Sequence, residues 1–233
     1  MNGYNRYARL EALPDIGREG LVALRSAKVL VIGCGALGSM AAMYLAASGI
    51  GTVGIADFDT IDLSNLQRQL FFEEGNVGQP KVRVLSERML ALNSEVELMV
   101  HPELVTRDRA VSLFPAYDFV IDGSDNPATK VLTDAVSLET GVACCIGGVR
   151  GFAGQVMSCA PGHIRYSDVF GEAPCSGLLP CSVAGVLGPA AGVVASVQAA
   201  EAIKHAAGAG DMLYDRLFTV DLLTMRSGVC AIG

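Results

Sequence analysis

A glycine-rich turn directly after an apolar run constrains the fold of this chain more than any other feature. In KVLVIGCGALGSM (28–40), an unbroken apolar run typical of a buried parallel strand precedes Gly33, Gly35 and Gly38. Such glycines permit a tight turn, close approach of a phosphate, and packing of the next helix on the strand. The helix N-terminus then offers free N–H groups to an anion. The stretch predicts a nucleotide-binding unit, and a tight turn without a ligand is the alternative interpretation.

Strands alternate with helices over the first 146 residues. The predicted strands cover 28–32, 52–59, 96–100, 117–122 and 142–146, and the predicted helices cover 36–48, 79–93 and 126–140. This order is typical of an α/β fold with a doubly wound, Rossmann-like and mostly parallel sheet.

After Gly147 the sequence becomes richer in glycine. A short β segment, a Pro/Gly/Ser-bearing loop region (160–182), a long helix (185–207) and strands near 213–220 and 224–230 follow. We expect an antiparallel extension of the same sheet. The chain is thus predicted to be one domain (1–233), with a nucleotide-binding half at about 1–146 and a substrate-binding half at about 147–233.

Composition narrows the classes of function. The formal net charge is −7, which argues against binding to nucleic acid or to an anionic membrane surface. Residues 183–200 form a weakly polar run, but Gly, Pro, Ser and Gln interrupt it, so a buried helix is favoured over a membrane span. The seven cysteines are scattered and no secretory segment precedes them, which predicts a reduced, cytoplasmic protein.

A polar cluster follows the second predicted strand, in ADFDTIDLSNLQRQ (56–69). Its side chains are carboxylates, amides and one guanidinium: Asp57, Asp59, Asp62, Asn65, Gln67, Arg68 and Gln69. Carboxylates can hold ribose hydroxyls or a metal ion, and an arginine grips phosphate oxygens in a fork. The cluster therefore favours a nucleoside triphosphate over NAD or FAD. For Asp59 and Asp62, a turn or helix-cap role is the alternative.

Two further segments add candidate ligands. Lys81, just inside a predicted helix, is either a second cation at the phosphates or a solvated helix residue. GSDNPATK (123–130) places Asp125 and Asn126 after the fourth predicted strand, at the edge of the sheet where ligands bind.

Together these motifs resemble the ubiquitin-activating superfamily, whose bacterial members include the ThiF, MoeB and HesA adenylyltransferases. The glycine turn, DFDTIDLSNLQRQ, VGQPKV and GSDN carry the resemblance. RYARLEALPDIGREG near the N-terminus is similar to the RYxRQ opening of the family. PCSVAGVLGPAAGVVASVQAAEAIK (180–204) is similar to its cysteine-bearing crossover and long helix. The resemblance extends from about residue 4 to 226.

The resemblance implies adenylation of a carboxylate with Mg-ATP and release of pyrophosphate. The expected acceptor is the C-terminal glycine of a ubiquitin-like sulfur carrier used in thiamine or molybdopterin synthesis. By position, Asp57 matches a ribose-binding aspartate, and Asp125 matches the aspartate that orients Mg²⁺. The matches to phosphate-contacting residues are Asn65, Arg68 and Lys81. The predicted ATP site is completed by Gly33, Gly35, Gly38, Asp59, Gln69 and Asn126.

The family resemblance also implies a homodimer. Arg9 matches an arginine that reaches into the partner's active site, and Arg6 is the weaker candidate for that role. Arg150 falls where family members have a substrate-side loop, with a surface arginine as the alternative. Cys181 aligns with a cysteine that some relatives use for a thioester or acyl-disulfide, and Cys175 lies in the same loop.

The chain departs from the family in its zinc ligands. ThiF and MoeB usually hold a structural zinc through two CxxC pairs, but this sequence contains no CxxC. Arg165 and Asp168 stand where the first pair is expected, and the second pair is reduced to Cys230. Because a closed zinc site needs four ligands, we predict that zinc is absent.

Three functional hypotheses follow. The first is adenylation of a sulfur carrier. The second keeps the chemistry but takes a small-molecule, peptide or cofactor-precursor carboxylate as acceptor. The third is a non-catalytic relative that binds only a nucleotide or a partner, and the presence of Arg68, Lys81 and Asp125 argues against it.

Overall fold

The computed structural model describes residues 6–171 and 185–232, and within them strands and helices alternate. The strands are β1 Lys28–Ile32, β2 Thr52–Ala56, β3 Glu97–His101, β4 Phe119–Asp122, β5 Ala143–Arg150, β6 Ala153–Cys159, β7 Arg216–Asp221 and β8 Arg226–Ala231. The helices are α1 Ala8–Glu11, α2 Gly17–Ser26, α3 Gly38–Ser48, α4 Lys81–Leu92, α5 Arg107–Leu113, α6 Pro127–Thr140, α7 Tyr166–Phe170 and α8 Gly188–Ala207. Short 3₁₀ helices occur at Leu63–Asn65, Glu74–Asn76 and Phe114–Ala116.

All eight strands belong to one sheet, in the order β3-β2-β1-β4-β5-β6-β7-β8. Pairing is parallel from β3 to β5 and antiparallel from β5 to β8. The predicted doubly wound sheet with an antiparallel C-terminal extension is confirmed. Because β1 and β4 are neighbours whose connections leave in opposite directions, a crevice opens at their carboxyl ends, where ligands bind in such sheets.

Alternating side chains of the sheet build a core on each of its faces. Val29 and Val31 point into a cluster with α3, α4 and α8, whereas Leu30 and Ile32 point into a cluster with α5 and α6. All four side chains are buried. Among the described residues, no helix combines the length and the apolar character needed to cross a bilayer.

Several boundaries differ from the sequence-based expectation. The second strand ends at Ala56 and not at residue 59, since Asp57 turns to bond the glycine turn. Strand β5 continues to Arg150, so it crosses the predicted boundary between the halves without interruption. The division into two functional halves stays a prediction. Helices α1, α2, α5 and α7 were not predicted.

The glycine turn joins β1 to α3 through direct backbone contact. Gly33 has φ +85°, a conformation that L side chains rarely adopt. A Cβ added to Gly38, the first residue of α3, would lie 1.7 Å from the carbonyl oxygen of Gly33. The turn therefore keeps its shape only while residue 38 has no side chain.

We expect Gly38→Ala to lower the free energy of unfolding by about 3 kcal/mol, because the new methyl group meets backbone that cannot yield. Gly75→Ala is the matched control, since a Cβ there meets no described atom within 4 Å. Urea unfolding followed by circular dichroism measures both variants. Equal stability of the two would contradict the prediction.

Candidate active site

The carboxyl end of β2 is bonded to the glycine turn through Asp57. One carboxylate oxygen of Asp57 accepts a hydrogen bond from the backbone N–H of Cys34 at 2.6 Å, and the other accepts from the N–H of Asp59 at 2.8 Å. Asp57 is half-buried. The carboxylate thus fixes the turn against the neighbouring strand.

The thiol of Cys34 lies inside this arrangement and is fully buried. Burial raises the pKa of Cys34 well above its usual value, and the nearby charge of Asp57 raises it further, whereas Lys81 lowers it. The thiol is therefore protonated at neutral pH and packs as a small apolar group.

Lys81 begins α4 and is buried, with 6% of its surface exposed. Its ammonium lies 2.8 Å from a carboxylate oxygen of Asp59, and its backbone N–H donates to the Asp59 carbonyl at 3.0 Å. Burial rules out the alternative of Lys81 as a solvated helix residue. Asp59 holds this cation at the carboxyl edge of the sheet.

Asp62 has the helix-cap role that was the alternative interpretation for it. Its carboxylate accepts from the Ser64 N–H at 2.8 Å, and Asn65 Oδ1 accepts from the Asp62 N–H at 3.2 Å. These reciprocal bonds form a capping box on the 3₁₀ helix Leu63–Asn65. Hydrogen bonds from Ser64 lower the pKa of Asp62.

Arg68 and Gln69 follow this helix. Arg68 is half-buried, and one of the five N–H donors of its guanidinium is bonded to the Ser64 carbonyl at 3.1 Å. Gln69 is 4% exposed, and its Oε1 has no hydrogen-bond partner among the described residues. Its Nε2 lies 3.6 Å from where a Cβ of Gly35 would be, so the buried amide faces the glycine turn.

The loop after β4 completes the edge. Asp125 is exposed in this loop, and Asn126 caps α6 by accepting the N–H of Ala128 at 2.9 Å. A Cβ on Gly33 would lie 3.1 Å from the backbone nitrogen of Ser124, so the loop adjoins the glycine turn. The structure therefore groups the Asp57 and Lys81 side chains, Gln69 and the Asp125 loop around one turn.

Comparison with known sequences identifies the family. A sequence model described as the ThiF family matches residues 7–232. The chain belongs to the ThiF family. The family predicted from the glycine turn, NLQRQ and SDN is confirmed.

Curated relatives of this ThiF-family chain carry related names. It is 39% identical over 226 residues to the probable adenylyltransferase/sulfurtransferase MoeZ of Mycobacterium tuberculosis, covering 94% of this chain and 58% of MoeZ. It is 36% identical over 226 residues to the sulfur carrier protein adenylyltransferase of Thermus thermophilus, covering 94% of this chain and 83% of the relative. The chain thus spans little more than half the length of MoeZ.

Solved structures share the fold. A crystal structure of E. coli MccB with ATP superposes with a TM-score of 0.82 at 21% identity, covering 99% of this chain and 72% of that chain. Another MccB crystal structure, with succinimide, gives a TM-score of 0.86 at 23% identity, covering the same shares of the two chains. At this identity the likeness shows the fold alone.

The N-terminal arginines of this ThiF-family chain lie away from the site. Tyr7 packs on the turn after α3, since a Cβ on Gly49 would lie 2.7 Å from its ring. Arg6 donates to the Leu92 carbonyl at 2.6 Å, and Arg9 is exposed in α1. These contacts are at the amino edge of the sheet, whereas the glycine turn is at the carboxyl edge. Helix α3 connects the two edges, and its 11 residues span about 16 Å. The structure does not bring Arg9 into the site of its own chain.

The remaining predicted residues are scattered or fall outside the described part. Cys181 and Cys175 lie outside the described residues. Arg150 is exposed at the end of β5, and Cys230 is exposed in β8.

The positions expected for zinc ligands make polar contacts with protein atoms. Arg165 lies 3.2 Å from the buried Asp134 carboxylate, and Asp168 accepts the Arg165 backbone N–H at 2.9 Å. Within residues 6–171 and 185–232, no three His, Cys, Asp or Glu side chains cluster as metal ligands would. The absence of zinc stays a prediction, because it concerns binding and not the arrangement of side chains alone.

Sequence reasoning missed a buried polar stripe on α6, formed by Lys130, Thr133, Asp134 and Ser137. Lys130 and Thr133 contact Asp122, which is itself fully buried at the end of β4. The spacing i, i+3, i+4, i+7 was available as a pattern, since it places all four side chains on one helix face. Polar residues on such a face are ordinarily solvated, which is why the pattern attracted no functional interpretation.

Proposed function

We propose that this ThiF-family chain uses ATP to adenylate the C-terminal carboxylate of a ubiquitin-like sulfur-carrier protein. The observation that carries the proposal is the buried Lys81 ammonium, held by Asp59 beside a glycine turn at the switch point of the sheet. The name of the relative at 36% identity, a sulfur carrier protein adenylyltransferase, supports the acceptor, and the name of the relative at 39% identity supports adenylyl transfer. In the reaction, a carboxylate oxygen attacks the α-phosphorus, the bond from that phosphorus to the β-phosphate oxygen breaks, and pyrophosphate leaves.

Two features of the site fit a nucleotide, one at its phosphates and one at a hydrogen-bond donor. Protein packing does not demand a glycine at position 35, because a Cβ there would make only ordinary contact with Gln69 at 3.6 Å. A phosphate in contact with the turn would require glycine there, because it would occupy the space of a side chain at position 35. The buried Oε1 of Gln69 has no partner among the described residues, and it accepts only, so a hydroxyl or amino group of a nucleotide, and not its phosphate, is the kind of donor that would satisfy it.

The charges of the site suit this reaction. The attacking carboxylate and the triphosphate are both anionic, so catalysis depends on cations and on positioning. We assign phosphate contacts to Lys81, Arg68 and Asn65. The carboxylate of Asp57 accepts two backbone N–H bonds and has further lone pairs for the ribose hydroxyls.

Asp125 is assigned to Mg²⁺. Carboxylate oxygen is the donor type that Mg²⁺ prefers, and Asp125 is exposed at the carboxyl edge beside the turn. When bound, Mg²⁺ supplies charge neutralisation at the phosphates. Asn126 orders the same loop, because its side chain caps α6.

We also propose a homodimer. Arg9 lies at the far edge of its own sheet, so it meets the triphosphate only if a second copy presents its N-terminal segment. A mainly apolar groove of about 520 Å³ on α3 and α8 is the surface assigned to this contact. Its lining includes Met40, Tyr44, Val193 and Val197.

We place the protein in the cytoplasm. The free, buried thiols of Cys144, Cys145 and Cys159 accord with a reduced, cytoplasmic setting.

The direct test is exchange of labelled pyrophosphate into ATP. We expect exchange only with Mg²⁺ and a purified ubiquitin-like protein ending in Gly-Gly, because its carboxylate is the attacking group. The same carrier without its last glycine is the control. Exchange that ignores carriers but responds to a small acid would favour the second hypothesis, and absence of ATP binding would contradict both.

The role of Asp125 has a separate prediction. Asp125→Ala should lower exchange by about 10³-fold, since Mg²⁺ and the developing charge lose their fixed position. Its thermal midpoint should match that of the wild type, because Asp125 is exposed. Asp108→Ala, which removes an exposed aspartate from α5, is the matched control and should keep full activity. Wild-type exchange in Asp125→Ala would refute the assignment.

The role of Arg9 is tested by mixing inactive proteins. Arg9→Ala and Asp125→Ala, dissociated together and reassembled in equal amounts, should recover about a quarter of wild-type exchange, because half the dimers then contain one intact site. Arg18→Ala in place of Arg9→Ala is the control for the substitution itself. If no activity returns, Arg9 does not act across the dimer.

A further inference from the structure

A buried ion pair lies beneath the loop that carries Asp125. The Lys130 ammonium is 3.3 Å from a carboxylate oxygen of Asp122. Lys130 is 6% exposed and Asp122 is fully buried. The attraction within a buried pair is largely offset by the loss of hydration, so stability alone does not account for it. The other hydrogen bonds of the Lys130 ammonium and the Asp122 carboxylate show which segments of the chain the pair holds together.

Lys130 joins three segments of the chain. Besides Asp122, its ammonium donates to the carbonyl of Ser124 at 2.6 Å and to the carbonyl of Gly147 at 2.7 Å. An ammonium has three N–H donors, and these contacts account for all of them. The cation therefore fastens the loop after β4 to the end of β4 and to strand β5.

Asp122 holds the same loop from the other side. One of its carboxylate oxygens accepts the backbone N–H of Ser124 at 2.9 Å and the Ser124 hydroxyl at 2.7 Å. The other oxygen accepts the Thr133 hydroxyl at 2.8 Å. Ser124 is thus held at its N–H by the carboxylate and at its carbonyl by the ammonium, which fixes the peptide leading directly into Asp125.

The fixed peptide lies against the glycine turn. A Cβ added to Gly123 would lie 2.6 Å from the backbone nitrogen of Gly38, the first residue of α3. The loop therefore has no free space on the side of the turn. Its position relative to the N-terminus of α3 is determined by this contact and by the ion pair below.

We propose that Lys130 is the positioning residue for Asp125 and acts on it through the carbonyl of Ser124. The inference rests on the proposed function, in which Asp125 holds Mg²⁺ at the phosphates. Lys130 itself is buried beneath the loop, and its three N–H donors are all used by protein oxygens. A misplacement of about 1 Å at a reacting centre can cost about 10²-fold in rate, so loss of the tether affects turnover more than binding.

The variants must separate positioning from folding. Lys130→Met removes the tether but leaves the Asp122 carboxylate buried without its cation, which destabilises the protein. The double variant Asp122→Asn with Lys130→Met removes that unpaired charge while the tether to Ser124 stays absent. Thr133→Val is the matched control, because it removes a hydrogen bond from the same carboxylate and leaves the Ser124 carbonyl untouched.

We expect Lys130→Met to lower kcat in pyrophosphate exchange by about 10²-fold, with KM for ATP changed by less than about threefold. The double variant should regain thermal stability but not kcat. Thr133→Val should lose stability yet keep kcat within about twofold of the wild type. If kcat returns together with stability in the double variant, or if Thr133→Val loses as much kcat as Lys130→Met, the positioning role is overturned.

Amide hydrogen exchange tests the tether without any activity. In Lys130→Met and in the double variant, the amides of Ser124 and Asp125 should exchange about tenfold faster than in the wild type, and Thr133→Val should leave them unchanged. Unchanged exchange in both tether variants would overturn the inference. If the wild type catalyses no pyrophosphate exchange, the proposed function fails, and this measurement still decides whether Lys130 holds the loop.

Discussion

The contact between Gly38 and the carbonyl of Gly33 organises the rest of the site, because it brings α3 down onto β1 with no side chain between them. The first turn of α3 is thereby placed at the sheet edge, where its N–H groups can attract an anion. Two neighbouring segments then contact the backbone of the glycine turn and hold it in place. Asp57, which directly follows β2, bonds Cys34, and the loop after β4 lies against the turn as well.

The parallel part of the fold was predictable because buried strands leave unbroken apolar runs. KVLVI is such a run, and β1 has the predicted bounds. Asp57 ends β2 early, because its carboxylate bonds the glycine turn, and no local pattern marks that long-range contact. Helix α5 was missed because it is short and buries only Ala110 and Leu113 along its length. Periodicity finds long amphipathic elements and passes over short ones.

The site was predictable where a motif names a side chain and unpredictable where tertiary packing assigns its partner. Asp57 and Lys81 lie at the carboxyl edge of the sheet, and their contacts with a nucleotide stay a prediction. The sequence did not show that Asp59 forms an ion pair with Lys81, or that Asp62 caps a short helix. A carboxylate in a loop can form an ion pair or cap a helix, and the sequence does not distinguish the two. Nor did the sequence reveal Asp122 with Lys130, because a buried ion pair joins residues on two elements whose contact is known only from the fold.

Strand β5 pairs in parallel with β4 and in antiparallel with β6, and it runs without a break from Ala143 to Arg150. Its ladder bonds connect the glycine-turn side of the sheet to the C-terminal extension through one continuous strand. A rotation of one side against the other would have to break these backbone hydrogen bonds. Strand β5 therefore holds the glycine turn and the antiparallel strands in one fixed register.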